Sequence, residues 1–113
     1  MILTSFTNEY NVIINKYNEY AEMIIPYKTT KVYCKIRLKD IPIVKSEKWK
    51  YTFRNKKHQI IRRFTKQNTN CEQPILEVIC GDKATGRLKP IKENSLEFDI
   101  RDLCDLIEEG KYN

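Results

Sequence analysis

The stretch TSFTNEYNVIINKYNEYAEMIIP, residues 4–26, decides the fold. Phe6, Tyr10, Ile13, Tyr17, Tyr20 and Ile24 recur in it at steps of four and three. That is the stripe of a helix with one apolar face, widened by Ile14 and Ala21. Asn11, Asn15, Lys16, Asn18, Glu19 and Glu22 fall mostly elsewhere on the wheel, where water reaches them. Thr4, Ser5 or Thr7 each offers a start cap, and Glu9 suits the positive end of the helix dipole. Pro26 closes the segment, because a residue before proline is pushed out of the helical region. The spacing therefore predicts one long N-terminal amphipathic helix. The same stripe also suits a dimer seam, which keeps a homodimer open. Its breadth and its tyrosines favour packing on a sheet within the chain, since seams prefer aliphatic residues at both core positions.

Beyond Pro26 the charge becomes segregated. Residues 28–66 carry 14 of the 21 Lys and Arg residues and only two acids, Asp40 and Glu47, a local net charge of +12. The flanking segments are acidic, −2 for residues 1–27 and −4 for residues 67–113, in a protein whose overall charge is +6. From Val32 the chain alternates: Val32, Cys34, Ile36 and Leu38 face one way, and Tyr33, Lys35, Arg37 and Lys39 the other. A period of two over eight residues is a half-buried strand. Asp40, Pro42 and Ser46 mark the connection to a second strand, in which Trp49, Tyr51 and Phe53 share a face opposite Lys48, Lys50, Thr52 and Arg54.

Asn55, Lys56 and Lys57 then form a turn. With Lys56 and Lys57 as the loop, Phe53 pairs with Ile60, Trp49 with Phe64, and Lys50 meets Arg63. Residues 58–67 also fit a short basic helix, with Ile60, Ile61 and Phe64 inward. Downstream, Ile75–Cys80 reads as a strand with Leu76, Val78 and Cys80 inward. Gly81–Arg87 mimics a P-loop but has Arg-Leu where Lys-Ser or Lys-Thr is required, and Pro90 opposes a following helix. A short strand at Leu96–Phe98 precedes a final helix capped by Asp99, with Ile100, Leu103 and Ile107 inward. Glu108 and Glu109 sit at its unfavourable end. The expected fold is α+β over residues 1–113 as one domain. The long N-terminal helix packs on an antiparallel sheet of four to five strands, and a short C-terminal helix follows.

The expected site is the wet face of the basic strands. Lys35, Arg37, Lys39, Lys48, Lys50, Arg54 and Arg63 contact phosphates, Lys56 and Lys57 reach out from the turn, and Tyr33 is the stacking ring. The expected function is a small non-enzymatic nucleic-acid-binding protein, for DNA or RNA, losing about 10³–10⁵ in affinity between roughly 50 and 200 mM salt. The alternative is a phage or viral interaction protein that inhibits a host factor or defence complex by docking on a host protein or ribonucleoprotein. Ile, Asn, Lys and Tyr, whose codons are AT-rich, supply 46 of the 113 residues and point to an AT-rich microbe, phage or virus as the source.

One histidine and no nucleophile–base spacing argue against catalysis. Arg62, Arg63 and Tyr51 are the only set that would suit phosphate cleavage. Four dispersed cysteines without a close pair predict reduced thiols, with Cys34 and Cys80 as core residues within strands, and neither a metal nor a cofactor. No apolar run spans a bilayer, and MILTSFTNEY lacks the basic region and cleavage site of a signal peptide, so a cytoplasmic protein without membrane contact is expected.

Overall fold

The computed structural model describes residues 8–81 and 88–110, together with the backbone of residues 2 and 3. The architecture is mostly β, 48% strand against 22% helix, and the long N-terminal helix is absent. Its place is taken by β2 (Glu9–Ile14) and β3 (Glu19–Tyr27), paired antiparallel from Glu9↔Ile24 to Ile14↔Glu19.

The turn between them explains the difference. The Asn15 side-chain oxygen accepts hydrogen bonds from the Tyr17 and Asn18 N–H groups, both at 2.9 Å, and Asn15 N–H donates to the Asn18 carbonyl. An asparagine that closes a turn on its own backbone competes directly with helix. The β-branched run Val12-Ile13-Ile14 adds a preference for extended chain. Burial follows a period of two: Tyr10, Ala21, Met23 and Ile25 are buried, whereas Tyr17 and Ile14 of the supposed stripe are 82% and 66% exposed. Pro26 sits in β3 beyond Ile24, where pairing with β2 has ended, so its missing N–H disrupts no ladder there. Phe6 and the candidate caps Thr4, Ser5 and Thr7 lie outside the described residues.

β4 (Thr30–Ile36) pairs with β3 through a turn in which Lys28 takes φ 53°, and its alternation is the expected one, with Val32, Cys34 and Ile36 fully buried. β8 (Glu97–Asp99) lies parallel to β4, and β1 (Ile2–Leu3) flanks β2. The result is a five-stranded sheet in the order β1-β2-β3-β4-β8. A 3-10 turn, Leu38–Asp40, and the short α1 (Ile41–Val44) lead to a second, three-stranded meander of β5 (Lys50–Arg54), β6 (Lys57–Lys66) and β7 (Thr69–Pro74). Residues 58–67 are thus strand rather than basic helix up to Lys66.

The β5–β6 register differs from expectation by two residues: Tyr51 faces Ile60, Phe53 faces His58 and Lys50 faces Ile61. Asn55 and Lys56, at φ 53° and 61°, form a two-residue loop, the pattern of a type I′ turn whose twist suits a hairpin. Gln67 and Asn68, at φ 52° and 62°, repeat it between β6 and β7.

Residues 75–80 are a second correction. Ile75–Cys80 is helix α2, not a strand. An apolar run this short carries no period by which to tell the two apart. Pro74 ends β7 with an extended ψ of 149°, Glu77 lies in the first turn, and Gly81 at φ 81° closes the helix. Cys80 accordingly lies in a helix rather than a strand. Residues 82–87 of the P-loop-like turn lie outside the described residues. The last element, α3 (Arg101–Glu108), buries Cys104 and Ile107.

The core lies between the sheets. The inner face of the large sheet (Tyr10, Met23, Ile25, Val32, Phe98) is covered by Trp49, by Tyr51 and Ile60 of the meander and by apolar residues of the three helices. Asn8 ties the layers together: its side chain accepts from Trp49 N–H and donates to the Trp49 carbonyl at 3.0 Å, while the indole N–H donates to the Val44 carbonyl. Among the described residues no helix is long and apolar enough to cross a membrane.

Candidate nucleic-acid interface

The basic segment does not form one plane. It is divided between the two sheets, because residues 37–49 carry the chain from one to the other.

On the large sheet the register sets Lys35 between Glu22 of β3 and Asp99 of β8, and Tyr33 between Ile24 and Glu97. With Glu9 on the same side, this outer face presents four carboxylates against Lys31, Lys35 and Arg101, whose guanidinium pairs with Asp99 and lies 4.7 Å from the Tyr20 ring centroid. Lys35 also lies 5.0 Å from the Tyr20 ring centroid, a cation–π distance. Burial alone would raise the Asp99 carboxyl, but hydrogen bonds from Arg101 outweigh it and hold the group below its usual range. Tyr33 therefore stands among mixed charges with Glu97 beside it, on a different sheet from the exposed lysines of the meander.

Arg37 is not a surface cation. Its side chain is 10% exposed, and its Nε and Nη2 grip both oxygens of the buried Asp40 at 2.7 and 3.1 Å. Nη1 donates to Asp105 and Glu108 at 2.7 and 2.8 Å, and Nη2 also to Glu108 at 2.7 Å. These five bonds match the five N–H donors of a guanidinium, leaving none for a phosphate. The contacts also account for Glu108 at the wrong end of a helix dipole. Hydrogen bonds from Arg37 push its carboxyl down to about 2. Lys39, on the 3-10 turn, lies 3.5 Å from the same carboxylate.

The meander gathers cations on one side, interrupted where Lys50 faces the buried Ile61. Pairing sets Lys50 and Arg54 of β5 on the same side as Lys57 and Arg63 of β6, with Glu72 of β7 as the one acid among the paired residues. All four cations are exposed. Arg54 and Lys57 are directly opposed, an arrangement that like charges make unfavourable. Glu72 accepts from Arg54 at 2.6 Å and from Arg63 at 3.1 Å, and both pull its carboxyl below the usual range, Arg54 more strongly.

This bridge reveals the shape of the face. Arg54 pairs at Lys57 and Glu72 pairs at Arg63, six residues further along β6, which a flat sheet would hold about 20 Å apart along the strand. The contact requires the meander to curl, and beside it lies a cradle of about 630 Å³ lined by Arg54, Arg63, Thr65, Asn70 and Glu72 of this face and by Phe64 and Cys71 of the other. Each arginine uses one N–H on Glu72 and keeps others for a ligand. Lys56 stands at the hairpin tip and Lys48 just before β5; neither has an ion pair among the described residues. Arg62 points to the opposite side, bound to Gln73 and Glu47. Arg63 is thus separated from Arg62 and Tyr51, and the three do not converge on one phosphate.

Trp49, Tyr51 and Phe53, which share a face in the sequence, part in the structure. Trp49 and Tyr51 are buried, but Phe53 remains 51% exposed. The two-residue turn causes this, since it pairs Phe53 with His58 at the hairpin end rather than with the buried Ile60. Phe53 leans on His58 with ring centroids 4.6 Å apart, His58 Nδ1 lies 2.6 Å from the Tyr51 hydroxyl, and Tyr51 meets Tyr27 edge-on at 4.7 Å. The rings wall an open recess of about 270 Å³ with Asn94 and Ser95 on its rim. Sequence reasoning missed this recess, although the aromatic triplet Trp49, Tyr51 and Phe53 was the available signal.

All four cysteines are free, and burial pushes the Cys34 and Cys104 thiols well above their ordinary range. Among the described residues no group of three or more His, Cys, Asp or Glu side chains is placed to hold a metal ion. No protein-family model matches the chain, and no curated protein or solved structure matches it significantly.

Proposed function

We propose that this protein binds nucleic acid without catalysis, holding phosphates in the curled basic face of the meander. The observation that carries the reading is the gathering of Lys50, Arg54, Lys57 and Arg63 on one exposed face against Glu72 alone. A sheet that opposes Arg54 to Lys57 gains from any polyanion that separates their charges. Lys56 extends the face at the tip, and the arginines are held in place by Glu72 before a ligand arrives. Arg37 belongs to the scaffold, while Lys35 and Tyr33 lie on the other sheet, where Lys35 faces Glu22 and Asp99 and Tyr33 faces Glu97.

With Lys50, Arg54, Lys56, Lys57 and Arg63 each neutralising one phosphate, affinity for duplex falls by several-hundred-fold between about 50 and 200 mM salt. The test is fluorescence anisotropy with mixed-sequence DNA and RNA across that salt range. Replacing Lys50 and Lys57 together by Gln should reduce the slope of log K against log salt by about 1.4 to 1.8. Lys35→Gln should leave it unchanged. Absence of salt-sensitive binding to either nucleic acid overturns the proposal and leaves a protein as the class of partner.

A further inference from the structure

The aromatic recess, on the face of the β5–β6 hairpin opposite Lys50, Arg54 and Lys57, has the properties of a seat for a flat ring. Tyr51 is buried and its hydroxyl meets His58 Nδ1 at 2.6 Å, which fixes the orientation of the His58 ring. His58 in turn supports Phe53, so the half-exposed ring is backed by a packed layer rather than hanging free. At about 270 Å³ the recess is smaller than the roughly 300 Å³ at which drug-sized sites begin, a scale suited to a single ring system. The Asn94 amide and Ser95 hydroxyl supply hydrogen-bonding groups at its rim.

Charge narrows the occupant. Among the described residues no carboxylate lines the recess, and Lys28 stands 5.2 Å from the Tyr27 ring centroid, so a cationic guest would meet a like charge there. Lys56 at the hairpin tip stands on the hairpin side of the recess, while Lys57 projects from the opposite face. A neutral ring attached to an anionic backbone satisfies both features. The geometry points to this recess as the site of one unstacked nucleobase lying on Phe53, which makes the protein a binder of single strands in preference to duplex. The inference rests on the phosphate-binding reading above and specifies its substrate. In a duplex the same ring is locked in its stack and must be extruded before it can enter.

The test is anisotropy with labelled oligo-dT, oligo-U and a duplex of matching length, on the wild-type protein and on Phe53→Leu and Phe53→Trp. Phe53→Leu removes the stacking face at a half-exposed position, and an unchanged thermal midpoint confirms that it folds. We expect the single strands to bind more tightly than duplex. Phe53→Leu should weaken single-strand binding by about tenfold, the scale of one lost base–aromatic stack, and leave duplex binding unchanged. Phe53→Trp should retain single-strand affinity, and the ratio of oligo-dT to oligo-U reports which sugar is preferred.

Equal wild-type affinity for single strand and duplex overturns the inference. So does a Phe53→Leu protein that holds single strands as well as the wild type, or that loses both ligands alike. In each of these cases salt-sensitive binding still supports the basic cradle, whereas a wild-type protein that binds no nucleic acid removes both.

Discussion

Replacing Arg37 by Met tests the assignment of this cation to the scaffold. The substitution keeps an apolar stem of similar reach and removes the guanidinium from three carboxylates. Asp40, whose side chain is 3% exposed, then loses both of its ion-pair bonds. Breaking a buried pair from one side costs about 3–5 kcal/mol, because the remaining charge stays desolvated. Asp105 and Glu108 are 54% and 41% exposed, so water screens their loss and they add little. Against a total stability of about 5–15 kcal/mol for a domain, this is a large fraction. At about 4 °C per kcal/mol, the thermal midpoint should fall by roughly 12–20 °C.

The assay is urea unfolding followed by circular dichroism at neutral pH. A companion double variant, Arg37→Met with Asp40→Leu, removes both buried charges and should recover most of the loss. The reasoning is refuted if Arg37→Met costs less than about 1 kcal/mol, or if the double variant is no more stable than the single one. The conservative Arg37→Lys keeps the charge but lacks the planar fork, so it should destabilise without changing nucleic-acid affinity.

Acid should weaken the same network. Glu108 is held down to about 2 and Glu72 and Asp99 below their usual range, so the unfolded chain takes up protons first as pH falls. For Glu108 the contribution is present above the unfolded value of about 4.3 and is lost as pH drops toward about 2. The urea midpoint should therefore decline across that window, and less steeply in Glu108→Gln; a flat profile contradicts the pairing with Arg37. A third expectation concerns the β6–β7 turn, where Gln67 and Asn68 both take positive φ. Asn68→Gly should stabilise the protein by up to about 1 kcal/mol, measured by the same unfolding assay, since glycine adopts this conformation without a Cβ clash.

The parts governed by local alternation were legible in the chain alone. The period of two from Val32 to Ile36 placed β4, because only one registration buries Val32, Cys34 and Ile36 together. The periodic apolar residues before Gly110 placed the C-terminal helix, and the uneven distribution of lysine and arginine identified the basic segment. Tertiary structure decided everything that depended on which surfaces meet. Residues 9–27 satisfy helical and extended spacing almost equally, since the adjacent pairs Ile13-Ile14 and Ile24-Ile25 fill both patterns. The Asn15 turn, the sheet that β4 offers to β3 and the layer supplied by Trp49 favour strands. Arg37 alternates as a wet residue, yet the acidic end of α3, 68 residues away in sequence, closes over it. The placement of Phe53 turned on two backbone residues at the hairpin, whose left-handed conformation shifts every cross-strand pair. Charge and alternation are properties of neighbours in the chain; faces, buried pairs and recesses arise only when distant segments exclude water from one another.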